Sequence, residues 1–262
     1  MTTLLAGKNA VIYGAAGGIG RTVARTFAAE GATVFPAGRT AAKVQALAAE
    51  LRDAGGHAEA VALDATDEPA VVDHLDEVAR AVGSVDVSLN LVSRGDVQGQ
   101  ALLDISVDDF MQPVQTGPRA AFITSRAAAR HMVRQPAGGV VLHLTSASSG
   151  AQGPLMGGTG ATDGAIESYM RALAHECGPQ GVRVYGIWTA GVTDVMQQDD
   201  LTAVDPNAPT VEQLDAMISG MALLRRAPKA REIADVAAFL ASDRASGMTT
   251  GIANVTCGLV TG

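Results

Sequence analysis

Residues Ala10–Gly20 read AVIYGAAGGIG and decide the fold of this chain. The apolar run Ala10–Tyr13 indicates a strand, and the residues from about Arg21 to Glu30 have a helical pattern. A strand, a glycine-rich turn and a helix in this order form the phosphate-binding turn of dinucleotide-binding folds. The alternative interpretation is a glycine-rich turn that binds no ligand. The flanking strand and helix patterns favour the dinucleotide site.

Each glycine of this turn has its own expected role. Gly14 permits the tight turn, Gly18 lets the backbone approach a pyrophosphate, and Gly20 allows close packing of the helix. The free N–H groups at the helix N-terminus attract the anion. The cofactor contacts predicted in this turn are therefore Gly14, Ala16, Gly18, Ile19 and Gly20.

Strand and helix patterns alternate along the rest of the chain. Six further apolar runs are predicted strands: Ala32–Ala37, Ala58–Leu63, Val85–Val92, Val140–Thr145, Val182–Trp188 and Ile252–Val255. Helical patterns such as Ala41–Asp53 and Asp67–Val82 lie between them. Nearly continuous apolar runs are typical of parallel strands that are buried on both faces. The sequence therefore predicts a single-domain α/β Rossmann fold over residues 1–262, with a doubly wound parallel seven-stranded sheet flanked by helices.

The segment at about residues 193–228 is the exception to this alternation. It contains the polar run Gln197–Asp200 and the turn-forming residues 205–209. Such turn chemistry indicates an excursion outside the sheet. Because the segment follows the carboxyl end of a predicted strand, we expect it to form a mobile lid over a small-molecule substrate.

Composition and charge limit the possible partners. The chain has 262 residues, 47% of them hydrophobic, and a formal net charge of −8 with scattered Lys and Arg residues. This charge opposes binding to nucleic acid. No apolar run is long enough to span a bilayer and no signal core follows Met1, so we expect no membrane partner and a cytoplasmic location. Cys177 and Cys257 lack metal-ligand spacing, which predicts no metal site.

Several motifs together resemble the classical short-chain dehydrogenase/reductase family across essentially the whole chain. Asp64 matches the adenine-contacting Asp of the family, and Asp86–Asn90 resembles its D-x-L-V-N segment. The residues Leu240–Asp243, Thr250-Gly251 and Cys257-Gly258 resemble its closing L-x-S-D, T-G and d-G-G pattern. The resemblance implies an NAD(P)(H) cofactor and a homodimer or homotetramer. It also implies cofactor contacts at Asp64, Ala65, Asn90 and Val192.

The choice between the two nicotinamide cofactors depends on the end of the second strand. NAD-selective sites place a carboxylate there, whereas NADP sites need space and a cation for the 2′-phosphate. This chain has Gly38-Arg39 at that point and no acid. The Arg39 guanidinium suits phosphate oxygens, so NADP(H) is favoured over NAD(H). The alternative is that Arg39 is a solvated residue of the loop before Thr40.

The family resemblance also gives the expected catalytic positions. The family uses a Ser, a Tyr and a Lys four residues after the Tyr, and these positions fall on Ser146, Thr159 and Asp163. The frequent fourth member, an Asn, falls on Gly117. A Thr that touches the pyrophosphate is replaced by an acid, Asp194. Ser146 has an alternative role as a hydrogen-bonding residue at the strand end.

These substitutions change the chemistry that is expected at the site. A Tyr phenol titrates near about 10, whereas the hydroxyl of Thr159 does not titrate in the accessible range and has no cation beside it. The Asp163 carboxylate opposes a nearby oxyanion, although it can still bind a ribose diol. His143, Tyr169 and His175 are the other candidates for carrying a proton in this region. We expect His143 to be a core histidine and Tyr169 to serve packing or subunit contact.

The sequence leaves three functions open. The first is an NADP-dependent oxidoreductase of a small carbonyl or alcohol substrate with a rebuilt proton path. The second is a redox-silent dinucleotide-binding or regulatory protein, and the third is a lyase or isomerase that uses the same pocket. Analogy at the level of the fold favours the first, whereas the residues of the site favour the other two.

Overall fold

The computed structural model describes residues 3–150, 153–204 and 208–261. These residues form eight strands: β1 (Asn9–Tyr13), β2 (Thr33–Gly38), β3 (His57–Ala58), β4 (Val61–Ala62), β5 (Val87–Asn90), β6 (Gly139–Ser146), β7 (Val182–Thr189) and β8 (Ile252–Val255). They also form eight α-helices: α1 (Gly18–Ala29), α2 (Ala41–Asp53), α3 (Glu68–Val82), α4 (Val107–Met132), α5 (Thr159–Cys177), α6 (Gln198–Val204), α7 (Val211–Met221) and α8 (Ala230–Ala241). The alternation predicted from the sequence is confirmed.

All strands belong to one parallel sheet in the order β3-β2-β1-β5-β6-β7-β8, and β4 also pairs with β2. The predicted strand Ala58–Leu63 is present as the two short strands β3 and β4, which share one edge position. The sheet therefore has the seven predicted positions although it contains eight strands. The strand order reverses between β1 and β5, where the carboxyl ends of doubly wound strands form a binding crevice.

The alternation of side chains along β1 explains why helices cover both faces of the sheet. Ala10 and Ile12 belong to a core cluster that includes residues of α1 and α8. Val11 and Tyr13 belong to the opposite cluster, which includes residues of α3, α4 and α5. Successive residues of a strand point to opposite faces, so a strand with apolar residues on both faces needs both layers.

Local signals in the sequence fix several helix ends. The Asp67 side chain accepts a hydrogen bond from the N–H of Ala70 at the start of α3, and Gly83 ends that helix in the left-handed conformation. Ser106 caps α4 in the same way through the N–H of Asp109. Side-chain oxygens at N-caps satisfy N–H groups that the helix leaves unpaired.

The segment after β7 lies outside the sheet, as predicted. Its described residues form a 3₁₀ turn at Thr193–Val195 and the helices α6 and α7. The turn signal at 205–207 lies outside the described residues. The Thr193 hydroxyl donates a hydrogen bond to Asp215 of α7, which connects the 3₁₀ turn to that helix. A role of this segment as a mobile lid stays a prediction.

Candidate functional site

The glycine-rich turn lies at the carboxyl end of β1, beside the point where the strand order reverses. Gly14 has a φ of 75°. A Cβ atom at this residue would collide with the carbonyl oxygen of Leu91 in the loop after β5. The tight turn therefore needs a glycine here, because both the backbone conformation and the available space exclude a side chain.

The N-terminus of α1 is open to an anion. Gly17 is its N-cap and gives no side-chain hydrogen bond, and the first turn contains no acidic residue. The backbone of Gly17 and Gly18 is exposed, whereas Ala16 and Ile19 are half-buried. The first N–H groups of a helix have no partner within the helix and carry a partial positive charge.

Two glycines of the turn are required by packing within the chain. A Cβ at Gly18 would lie 2.6 Å from the Cβ of Val195, because the 3₁₀ turn after β7 lies against α1. A Cβ at Gly20 would collide with the carbonyl oxygen of Gly14. The packing role expected of Gly20 is confirmed. The structure gives Gly18 a reason to be glycine besides the predicted approach of a pyrophosphate.

Arg39 and Asp64 lie on the same edge of the sheet, just after β2 and β4. Both are exposed. Hydrogen bonds from the N–H and hydroxyl of Thr66, at 2.8 and 2.7 Å, lower the pKa of Asp64, and the charge of Arg39 acts in the same direction. Ala65 beside them is buried. The adenine-side candidates are therefore close to one another.

The candidates Asn90 and Val192 contact other parts of the protein. The Asn90 amide donates to the hydroxyl of Thr124 at 3.1 Å, and its oxygen accepts from the N–H of Val92 at 3.0 Å. These bonds attach the loop after β5 to α4. Val192 is buried in the core at the start of the 3₁₀ turn. Asn90 is the last residue of β5, at the carboxyl edge of the sheet, and its side chain holds the loop that follows.

Asp194 has a structural partner. Its carboxylate accepts a hydrogen bond of 3.2 Å from the N–H of Ala230, the first residue of α8. A carboxylate is favourable beside the N-terminus of a helix, where the dipole is positive. The acid at the position where the resemblance implies a pyrophosphate-contacting Thr therefore binds the start of α8.

Ser146 and Asp163 meet in the same crevice. Ser146 ends β6, and its Oγ lies 2.5 Å from Oδ2 of Asp163, which is fully buried in α5. The Ser146 Oγ is also 2.8 Å from the hydroxyl oxygen of Ser148. Thr159, one turn before Asp163 in α5, is buried and accepts a hydrogen bond of 3.1 Å from the amide of Gln98. The structure therefore brings Ser146 and Asp163 into contact, and it gives Thr159 a separate partner.

The cation beside Asp163 is Arg94, which the sequence analysis missed. Its guanidinium contacts Oδ1 of Asp163 and binds Asp96 through two further hydrogen bonds, of 3.0 and 2.9 Å. The expectation of no cation concerned Thr159, and the structure places a cation at Asp163, one turn later in α5. Burial raises the pKa of Asp163, and the charge of Arg94 and the hydrogen bond from Ser146 oppose this shift. Arg94 comes from the loop after β5, which crosses the crevice.

Gly117 provides the space that Arg94 occupies. A Cβ at Gly117 would lie 2.8 Å from Cδ of Arg94 and 2.6 Å from Cγ2 of Thr162. Real side chains essentially never approach so closely. The position at which the resemblance implies an Asn is therefore a glycine because the stem of Arg94 fills the volume above it.

We expect Gly117→Ala to lower the free energy of unfolding by about 1–3 kcal/mol, because the new methyl group overpacks the contact with Arg94 and Thr162. Gly164→Ala is the matched control, since a Cβ at this helical glycine meets open space. It should raise stability by about 0.5–1 kcal/mol. Urea unfolding of both variants measures the difference. Equal stability would show that Arg94 does not fill this space.

A second buried carboxylate lies one turn further along α5. Oε1 of Glu167 accepts hydrogen bonds from the indole of Trp188 and the hydroxyl of Ser149, both at 2.7 Å, and from Thr145 at 3.3 Å. Thr159, Asp163 and Glu167 are spaced four residues apart and share one face of the helix. Glu167 attaches that face to β6 and β7, which sequence reasoning did not foresee.

The other proton carriers considered from the sequence lie outside this cluster. His143 is buried and its Nε2 lies 2.7 Å from the hydroxyl of Ser125; burial lowers its pKa to about 4. The ring of Tyr169 packs edge-on against Phe122, at 5.3 Å between ring centres, and burial raises its pKa to about 12. His175 is exposed. The expectations for His143 and Tyr169 are confirmed.

The described part of the chain contains neither a metal site nor a membrane-spanning helix. None of its clusters of His, Cys, Asp or Glu has three members that could hold a metal ion. None of its helices has the length and hydropathy needed to cross a membrane.

Known proteins share both the sequence and the fold. A family model described as enoyl-(acyl carrier protein) reductase matches residues 14–260. The L-rhamnose 1-dehydrogenase (NAD(P)(+)) of Azotobacter vinelandii is 31% identical over 252 residues, which cover 94% of each chain. The gluconate 5-dehydrogenase of Gluconobacter oxydans is 30% identical over 184 residues, which cover 70% of each.

The fold also matches solved structures. Carveol dehydrogenase from Mycobacterium avium in complex with NAD superimposes with a TM-score of 0.89 and 23% identity, over 98% of this chain and 99% of that one. The sheet order, the glycine-rich turn and these relatives agree with one another. The chain is a member of the short-chain dehydrogenase/reductase family.

Proposed function

We propose that this protein is an NADP(H)-dependent oxidoreductase of a small carbonyl or alcohol substrate. The observation that carries the proposal is the crevice at the end of β1. There the N-terminus of α1, which has no acidic residue, opens at the same carboxyl edge of the sheet as the cluster of Ser146 and Asp163. Dehydrogenases among the relatives support the same class of reaction.

The residues present fit a dinucleotide. Gly17 and Gly18 have no side chains and are exposed at the N-terminus of α1, which suits a pyrophosphate. Arg39 would hold a 2′-phosphate, and Asp64 with Ala65 would contact the adenine. Asn90 and Val192 would border the nicotinamide end. When bound, the cofactor supplies or accepts a hydride.

The catalytic residues in this proposal form a non-standard site. Thr159 and Asp163 take the positions at which the family has Tyr and Lys, and Ser146 retains its position. Ser146 would orient the substrate oxygen from the end of β6. Asp163 would act on Ser146 through the hydrogen bond between them, with Arg94 as the counter-ion of Asp163. The site thus combines a cation with a buried acid, although in a different arrangement from that of the family.

NADPH should bind more tightly than NADH by about 10- to 150-fold, because one charge-assisted hydrogen bond from Arg39 is worth about 1.5–3 kcal/mol. Arg39→Ala should remove most of this preference. Arg80→Ala, which removes an exposed arginine from the last turn of α3, is the matched control. Calorimetric titration of both cofactors gives the affinities. A preference for NADH that Arg39→Ala leaves unchanged would contradict the assignment.

Turnover is tested separately from binding. The loss of NADPH absorbance is followed with a panel of sugars, aliphatic ketones and diketones, and the reverse reaction with the matching alcohols. A redox-silent binding protein would bind NADPH and turn over none of them. A lyase or isomerase would transform a substrate of the panel without a change in NADPH.

We also propose that the chain forms a homodimer or homotetramer and that residues 193–228 close over the substrate. Phe122 of α4 is 42% exposed on the helix layer of α4 and α5, and the Arg126 guanidinium lies over its ring. An exposed aromatic residue with a stacked arginine is typical of protein interfaces. The cytoplasmic location stays a prediction from the sequence.

A further inference from the structure

We propose that Asp163 and Ser146 form a proton relay in which the Asp163 carboxyl stores the proton and the Ser146 hydroxyl passes it to the substrate oxygen. Arg94 is the positioning residue that holds this carboxyl in place. The inference rests on the proposed function for its substrate, and on contacts within the chain for its geometry.

The first step is a count of charges. Arg94 carries one positive charge and contacts two carboxylates, Asp96 and Asp163. Asp96 takes two of its hydrogen bonds, so this pair is already neutral. The side chain of Asp163 is 0% exposed, whereas that of Asp96 is 22% exposed. An unbalanced buried charge is costly, so the more buried carboxyl is expected to hold a proton.

Among the described residues that contact Asp163 or lie next to it on α5, none besides Arg94 is a cation. Ser146 contacts it from the end of β6, and Ser148, just after β6, contacts Ser146 in turn; both are neutral. Thr159 and Glu167 lie one turn before and after it on α5; the first is neutral and the second is an acid. Burial also raises the pKa of Asp163, which favours its protonated form.

The protonation state of Asp163 decides what Ser146 can donate. A hydroxyl has one hydrogen. If Asp163 is ionised, this hydrogen is held by Oδ2 at 2.5 Å. If Asp163 is protonated, Oδ2 donates to Ser146 instead, and the Ser146 hydrogen turns toward Ser148, 2.8 Å away, or toward a substrate oxygen.

The step balances in atoms and charge. As the substrate carbonyl carbon accepts a hydride from the reduced nicotinamide cofactor of the proposed function, the electron pair of its C=O bond moves to the oxygen. This oxygen takes the hydrogen of the Ser146 hydroxyl, and Ser146 takes the proton of Asp163 Oδ2. An alcohol forms, Asp163 is left as a carboxylate facing Arg94, and a proton from solvent returns to it through the Ser146 hydroxyl. Oxidation of the alcohol runs through the same atoms in reverse.

The test reads the proton directly on the protein without cofactor. Infrared difference spectra are recorded during a pH titration of the wild type, Asp163→Asn and Asp96→Asn. We expect a protonated carboxyl band to persist at pH values above the ordinary Asp pKa of about 3.9. It should be absent from Asp163→Asn. It should titrate at lower pH in Asp96→Asn, where Arg94 has only Asp163 to balance.

The opposing outcomes are distinct. Identical wild-type and Asp163→Asn spectra would overturn the relay. A band that survives Asp163→Asn and is lost in Glu167→Gln would assign the proton to Glu167 and would overturn it as well. Circular dichroism confirms that each variant is folded.

A kinetic test follows in the cofactor-loaded protein. Ser146→Ala and Asp163→Asn should each lower kcat by about 10²- to 10⁴-fold, and the double variant should be little worse. NADPH affinity should stay unchanged in all three. A wild type that binds no NADPH would contradict the proposed function, whereas the infrared result still decides the relay. Additive losses in the double variant would contradict the relay alone.

Discussion

Replacement of Arg94 by alanine should lower the free energy of unfolding by about 3–5 kcal/mol at pH 8, because it removes the guanidinium that Asp96 and Asp163 share, and a buried Asp163 that ionises at this pH then has no cation beside it. The loss should shrink as the pH is lowered. Removal of the cation raises the Asp163 pKa further, and a carboxyl with a raised pKa stabilises the fold below its ordinary value and loses this contribution as the pH rises through the folded-state pKa. Urea unfolding between pH 5 and pH 8 gives the dependence.

The control for this result is a double-mutant cycle. Asp163→Asn in the Arg94→Ala background removes the unpaired charge, so it should restore much of the lost stability. Arg94→Lys should restore less than the wild-type residue provides, because one ammonium cannot make the two-pronged contact with Asp96. Additive effects of Arg94→Ala and Asp163→Asn would show that the two side chains act independently.

Gly14→Ala should lower the free energy of unfolding by about 2–5 kcal/mol and weaken NADPH binding. About 1–2 kcal/mol comes from the left-handed backbone, and about 1–3 kcal/mol comes from the collision with the carbonyl oxygen of Leu91. Gly55→Ala separates the two causes. Gly55 has a φ of 88°, and a Cβ there meets nothing within 4 Å.

Gly55→Ala should therefore cost only the backbone part and leave NADPH binding unchanged. Urea unfolding and calorimetric titration of both variants measure the two effects. Equal losses of stability in Gly14→Ala and Gly55→Ala would show that the carbonyl oxygen of Leu91 does not lie against Gly14. That result would contradict the packing of the loop after β5, which carries Arg94, on the glycine-rich turn.

The fold was predictable because its signals are local. The helix α2 and the strand β8 have the predicted bounds, Ala41–Asp53 and Ile252–Val255. The division of the predicted strand Ala58–Leu63 into two pieces was not predictable from its apolar pattern. In the structure, both pieces pair with β2 at an edge of the sheet, where one side has no partner strand to extend the ladder.

The site was predictable only in part. The resemblance to the family gave the positions of Ser146 and Asp163, but the partner of Asp163 comes from a loop 69 residues earlier in the chain. The path of a long side chain such as Arg94 depends on space left by α4, and no local pattern encodes that space. Two signals were present. The charged residues Arg94 and Asp96 come soon after the end of β5. Gly117 interrupts a helical pattern, which usually has a packing reason.

The packing of Arg94 against Gly117 limits how this site can change in evolution. Residues 94, 117 and 163 constrain one another. A side chain larger than glycine at 117 collides with Arg94, a cation at 163 faces the guanidinium, and loss of Arg94 leaves a buried carboxylate alone. A substitution at any one of these three positions therefore gives a destabilised protein. Relatives that share this charge arrangement should carry Arg, Gly and Asp at these positions together, so the trio is a sequence signature for a subgroup of the family.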